Sequence, residues 1–126
     1  MLDHIDFSVT DLERSRAFYV LALAPLGINR VFEIKRDDGR EGTGFGRGSS
    51  PQFWIGRGPA VSGRLHVAFE AKSRASVDAF YNAALEAGGT SNGVPGLRPQ
   101  YGEDYYAAFV SDPDGHNIEA VCRRSE

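Results

Sequence analysis

Three residues capable of metal chemistry, His4, His66 and Glu119, each fall in a short run whose neighbours alternate between apolar and polar. Ile5, Phe7 and Val9 alternate with His4, Asp6 and Ser8. Leu65, Val67 and Phe69 alternate with His66 and Ala68, and Ile118 and Ala120 with Asn117, Glu119 and Val121. A period of two is that of a half-buried strand. If the apolar set of each run packs beneath a helix, His4, His66 and Glu119 come from three strands to one concave face. Two neutral imidazoles and a carboxylate suit a divalent first-row metal and leave coordination positions for water or substrate. A lone strand histidine is ordinarily a surface or core residue. Two histidines at equivalent points of a repeat are harder to explain by packing, which does not demand the same polar residue twice.

The repeat appears when the chain is shifted by 62 residues. His4 then falls on His66, Phe7 on Phe69, Ala17-Phe18-Tyr19 on Ala79-Phe80-Tyr81, Ala22-Leu23 on Ala84-Leu85, and Gly27 on Gly89. One ungapped offset of about half the chain implies two copies of one supersecondary unit.

Each unit reads as β-α-β-β-β. After the first strand, Thr10-Asp11-Leu12-Glu13 has the form of a capping box with Thr10 as N-cap. Phe18, Tyr19, Ala22 and Leu23 continue at helical spacing until Pro25 and Gly27. Strands are expected over Arg30–Arg36, Glu41–Arg47 and Gln52–Arg57, with a hairpin turn at Asp37-Asp38-Gly39. The second unit opens with a strand over Leu65–Ala71. Its helix carries the stripe Val77, Phe80, Tyr81, Ala84, Leu85 and stops at Gly88-Gly89. A Gly/Pro-rich stretch (Gly93 to Pro99) is read as a loop. Strands over Tyr105–Ser111 and Asn117–Arg123 follow, joined by the turn Asp112-Pro113-Asp114-Gly115, whose Pro and Gly fit a type I turn. The expected class is α+β: two paired β-α-β-β-β modules, about 1–62 and 63–126, in one domain spanning 1–126. They form a curved mixed sheet with a concave metal and substrate cleft.

Composition narrows the classes. The 126 residues are 41% hydrophobic and 25% charged, close to globular averages. A net charge of −3 without a basic stripe argues against nucleic acid. The longest nearly apolar run, Phe18 to Ile28, contains Pro25 and falls short of the ~20 residues a membrane helix needs. No basic-then-apolar segment opens the chain. The single cysteine, Cys122, cannot form an internal disulfide, so a cytoplasmic setting is expected.

The paired modules, the strand histidines and the run Asp112-Pro113-Asp114-Gly115-His116-Asn117-Ile118-Glu119 resemble the vicinal oxygen chelate superfamily over essentially the whole chain. That superfamily includes glyoxalase I, extradiol dioxygenases, fosfomycin-resistance thiol transferases and bleomycin-resistance proteins. The resemblance implies metal ligands at His4, His66 and Glu119. It further implies one divalent ion (Fe, Mn, Zn, Ni or Co), a substrate chelating through vicinal oxygens, and a homodimer with the cleft near its interface. Glyoxalase I adds a fourth ligand, a carboxylate, from the first module's counterpart of the Glu119 strand. Here that strand reads Pro51-Gln52-Phe53-Trp54-Ile55, which argues against ordinary glyoxalase I chemistry.

Phe45, Phe53, Trp54 and Phe109 are candidate pocket walls. Arg98, Tyr101, Tyr105 and Tyr106 surround the Gly/Pro-rich loop. There Arg98 and Tyr101 are taken as substrate-binding, Arg98 for an anionic group, and Tyr106 as a proton donor beside Glu119. Two function classes follow. The first is a metal-dependent lyase, isomerase or dioxygenase acting on a small oxygenated molecule. The second is a metal-free binding or sequestration protein of the bleomycin-resistance type. The triad favours the enzyme.

Overall fold

The computed structural model describes residues 1–126. Each expected strand is present to within one residue at either end: β1 Ile5–Val9, β2 Asn29–Lys35, β3 Glu41–Gly46, β4 Phe53–Arg57, β5 His66–Glu70, β7 Tyr106–Ser111 and β8 Asn117–Cys122. Helix α1 spans Leu12–Leu23 and α2 spans Arg74–Glu86. The stop at Pro25 and Gly27 takes the form of a 3-10 turn over Ala24–Leu26, closed by Gly27 at φ +75°.

Two local readings change. Asp11, not Thr10, caps α1, its carboxylate accepting from Arg14 N. Thr10 is drawn elsewhere: its backbone N–H and hydroxyl both donate to the Asp114 carboxylate, at 3.0 and 2.5 Å. The Gly/Pro-rich stretch belongs to a strand, β6 Thr90–Leu97, which pairs with β7 with register shifts between Ser91 and Gly93 and between Gly93 and Gly96. As an edge strand interrupted by bulges it tolerates Pro95 and loses strict alternation.

The strands form two four-stranded sheets, β1-β4-β3-β2 and β5-β8-β7-β6, with β1 parallel to β4, β5 parallel to β8 and the remaining pairs antiparallel. One face of each sheet packs on the helices. A single core of 21 buried residues runs through both modules, taking Phe7, Val9, Phe53 and Ile55 from the first sheet, Ile118 and Ala120 from the second, and Phe18, Val77 and Phe80 from the helices. Polar ties reinforce this junction: Tyr19 OH donates to Asp112 at 2.5 Å, beside the Thr10–Asp114 pair. Asp112 also accepts from the backbone of Asp114 and His116, so the Asp-Pro-Asp-Gly turn is both a tight turn, closed by Gly115 at φ +88°, and the clasp between modules. Cys122 is buried in the core.

Candidate active site on the open sheet faces

The second sheet presents Glu119, His66 and Phe109 on the face away from α2. Glu119 is 2% exposed, a location that costs a carboxylate heavily unless its oxygens are satisfied. Both are: His66 Nε2 lies 2.9 Å from Oε1, and Tyr105 OH donates to Oε2 at 2.5 Å. Burial first, then the hydrogen bond and charge of Glu119, push the Tyr105 hydroxyl up to about 12, against the opposing charge of Arg123. The Arg123 guanidinium lies 4.7 Å from the Tyr105 ring centre. Tyr105 therefore keeps its proton through the neutral range.

The tyrosine beside Glu119 is thus the neighbour of the one expected. Tyr106 turns to the helix side and donates to Asp78 of α2 at 2.7 Å. Residues adjacent along a strand face opposite ways, so one step decided the matter.

Around this core the face is ordered. Phe109 is directly across from Glu119 in the β7–β8 ladder, its ring 6.1 Å from that of His66. Arg98 lies over Phe109 with its guanidinium 5.3 Å from the ring centre, donating to the carbonyls of Gly96 and Val94 at 2.9 and 2.7 Å. Tyr101 is 60% exposed, its ring 5.3 Å from that of Tyr105. Five sequence-chosen residues, His66, Arg98, Tyr101, Phe109 and Glu119, therefore surround one spot with Tyr105.

The first sheet holds the others apart from that spot. His4 precedes β1, half exposed, with Nδ1 2.6 Å from Asp3 Oδ1. Phe45 and Phe53 are buried in the shared core, where they border a cavity of about 370 Å³ between the modules that also touches His66. Trp54 lies on the open face. In the ladders Trp54 pairs with Asp6 as Glu119 pairs with Ala68, each two residues beyond the module's histidine. Trp54 therefore occupies the position that Glu119 holds in the second module.

No three His, Cys, Asp or Glu side chains of one chain gather as a metal-holding group. His66 and Glu119 fit part of such a set; His4 does not join them within the chain. Both histidines do border open sheet edges. Ile5 donates to Gln52 O, and Val9 O accepts from Gly58, so the backbone groups of His4, Asp6 and Ser8 face away from β4. Leu65 O and Ala71 N bond β8, which turns those of His66, Ala68 and Glu70 outward. In both sheets the histidine strand is the edge.

The profile of the Glyoxalase/Bleomycin resistance protein/Dioxygenase superfamily matches residues 1–120. The chain belongs to this superfamily. A glyoxalase/bleomycin resistance protein from Albidiferax ferrireducens T118 is similar at 33% identity and TM-score 0.77, over 98% of this chain and 99% of that one. Two more distant structures share the fold. A glyoxylase/bleomycin resistance protein/dioxygenase domain from Frankia sp. EAN1pec is 16% identical, with TM-score 0.73 over 98% of both chains. Glyoxalase I from Zea mays is 21% identical with TM-score 0.73, over 99% of this chain and 45% of that one. No curated protein matches the chain. No helix of this superfamily member is long and apolar enough to cross a membrane.

Proposed function

We propose that this superfamily member is a metal-dependent enzyme acting on a small, vicinally oxygenated molecule, and that two copies complete its site. Pairing of the open β1 edge of one copy with the open β5 edge of the other brings His4 of one chain to His66 and Glu119 of its partner. The observation that carries this reading is the buried Glu119 carboxylate between His66 and Tyr105, on a sheet face open to a neighbour. Exposed edges of this kind are normally covered, and pairing them would give two equivalent sites per dimer.

The divalent ion (Fe, Mn, Zn, Ni or Co) would be held by His4, His66 and Glu119, and it would supply Lewis-acid polarisation of two substrate oxygens. The chain's own residues do the rest. Tyr105, protonated at neutral pH, donates to Glu119 and stands ready to protonate a developing oxyanion beside it. Arg98, held flat over Phe109, offers a fixed positive charge to an anionic group of the substrate, and Tyr101 walls the opening. Trp54 replaces the carboxylate that would serve as a second base across the site. Conversion of the methylglyoxal–glutathione hemithioacetal is therefore expected to be weak, and catecholate-like ligands are expected to bind better than mono-oxygenated analogues.

A metal-free binding role of the bleomycin-resistance type draws support from the exposed Tyr101 and Phe32 and from the separation of His4 within the chain. One experiment separates the two. His4→Ala and Glu119→Ala are each expected to lose metal while scattering light as dimers of about twice the 13.7 kDa chain. Mixing the two variants should restore metal to one site per heterodimer, because the intact donors then meet across the interface. Failure of mixing to restore metal overturns the shared site, and full metal content in both single variants overturns the triad. A strictly monomeric wild type removes the assembly.

A further inference from the structure

The open face of the first sheet is graded in successive rows. His4 and Gln52 begin it, with Gly46 of β3 in the same row. Next come Asp6, Trp54, Gly44 and Phe32, then Ser8, Gly56, Gly42 and Ile34. Arg36 and Arg40, at the β2–β3 hairpin, close the far end. Rows two residues apart along a strand are about 7 Å apart. The face thus runs from imidazole through an aromatic band and side-chain-free glycine positions to two guanidinium groups, about 20 Å in all.

The aromatic band is built rather than incidental. A Cβ at Gly44 would come within 2.8 Å of the Pro51 side chain and 3.0 Å of two atoms of the Trp54 indole, so glycine is what lets the ring lie down on β3. Phe32 meets the indole edge-on, with centroids 5.8 Å apart, and is itself 53% exposed. Along β3 every open-face position is glycine (Gly42, Gly44, Gly46) while Thr43 and Phe45 fill the core face, both fully buried. Glycine weakens a strand and typically marks close approach of another backbone or a ligand. Beside the indole, Gly42, itself buried, and half-buried Gly56 face each other across the β3–β4 ladder and give a side-chain-free lining to a cleft of about 290 Å³, just under the ~300 Å³ at which small-molecule pockets begin.

The charges favour an anion at the far end. Arg40 is engaged by Asp38 at 3.2 Å and Arg57 by Glu41 at 3.5 Å. Arg36, exposed on the rim at the hairpin end of the same cleft, makes no ion pair within 4 Å, though its charge bears on Asp38; the cleft's unpaired carboxylate, Asp6, lies at the other end, beside Trp54.

We propose that this face is a subsite for a planar ring bearing an anionic group, with Trp54 as the platform, Phe32 as the side wall, the Gly42–Gly56 pair as the lining and Arg36 as the counter-charge. The inference rests on the cleft reading above for its orientation, in which the chelating end of a substrate lies at His4 and its ring reaches along the sheet. It makes Trp54 and Arg36 the specificity-determining residues for the substrate's distal half.

Trp54 is the single tryptophan of the chain, so its indole N–H gives one resonance in a proton–nitrogen correlation spectrum. On metal-stripped protein, 2-naphthoate is expected to shift that resonance and to bind about tenfold more tightly than uncharged 2-naphthol. Trp54→Ala and Arg36→Gln should each weaken naphthoate binding about tenfold, and Arg36→Gln should leave 2-naphthol binding unchanged. Arg36 is exposed on the hairpin, so its substitution tests the idea without risk to the fold. No shift at millimolar naphthoate overturns the subsite. Tighter binding of a naphthyl quaternary ammonium than of naphthoate overturns its anionic assignment. The measurement needs no metal, so loss of the metal triad from the proposed function would leave these outcomes intact.

Discussion

In the second module the residue paired with Ala68 is Glu119, a buried carboxylate held by His66 and Tyr105; in the first the residue paired with Asp6 is Trp54, an indole lying on Gly44. Reading across the ladders, Glu119 is followed by Phe109 and then Gly93, whereas Trp54 is followed by Gly44 and then Phe32. Large and small residues have exchanged places along corresponding rows. The β-α-β-β-β scaffold leaves this freedom because its core requirement concerns the helix-facing positions alone. On the open face one copy could assemble polar donors while the other became an aromatic shelf over glycine.

The strongest way to break that contrast is Glu119→Gln, which keeps the shape and removes the charge. Metal content by elemental analysis is expected to fall about a hundredfold, with the dimer retained. Full occupancy in this variant would show that the donor set is not on the second module. Tyr19→Phe addresses the junction instead of either face. It removes the hydroxyl donated to Asp112 from a buried site, so urea denaturation should show a loss of about 1–3 kcal/mol with metal content unchanged. Burial first, then the charge and hydrogen bond of Asp112, raise the Tyr19 hydroxyl well above its ordinary value near 10. The folded state therefore holds this proton more tightly than the unfolded chain. Its contribution to stability is complete below pH 10 and declines as pH rises above it, so the difference between wild type and Tyr19→Phe should hold steady from pH 8 to about pH 10 and shrink from there to pH 11. A difference that stays constant through pH 11 would mean that folding does not raise the Tyr19 hydroxyl.

Trp54→Glu sharpens the equivalence of the two modules. It places a carboxylate where the ladder register matches Glu119, and retention of metal against a chelator is expected to rise about tenfold, while 2-naphthoate binding is lost. An unchanged metal affinity would mean that the matched positions do not meet at one site. The smallest effect is expected from the neighbouring tyrosines. Tyr105→Phe and Tyr106→Phe each delete one hydrogen bond and should cost about 1 kcal/mol of stability. Only Tyr105→Phe should alter affinity for catecholate-like ligands, measured by calorimetry on the metal-loaded protein.

Much of this was legible without coordinates. Strand alternation is a local property, and it placed the β1, β5 and β8 residues on their faces because the apolar set of each strand packs toward the helices, even though β8 is buried on both sides. The 62-residue offset exposed the module pair through its helix stripe and its two histidines. Where sequence reading departed from the structure, a remote partner or a register decided. Thr10 has the form of an N-cap, yet the Asp114 carboxylate, over a hundred residues away, takes both its donors and leaves the cap to Asp11. Gly93 to Pro99 has loop composition, yet pairing with β7 makes most of it a strand, since bulges spare an edge strand the hydrogen bonds that proline and glycine would spoil. Trp54 and Glu119 escape the offset that aligns the histidines, because the loops between strands differ in length and only the β1–β4 and β5–β8 ladders bring them into register. Tyr105 and Tyr106 are adjacent in sequence and chemically alike. Which one reaches Glu119 was fixed by where β7 begins, a choice set by its pairing with β8 and by the packing of Tyr106 onto Asp78 of α2, and no local pattern encodes it.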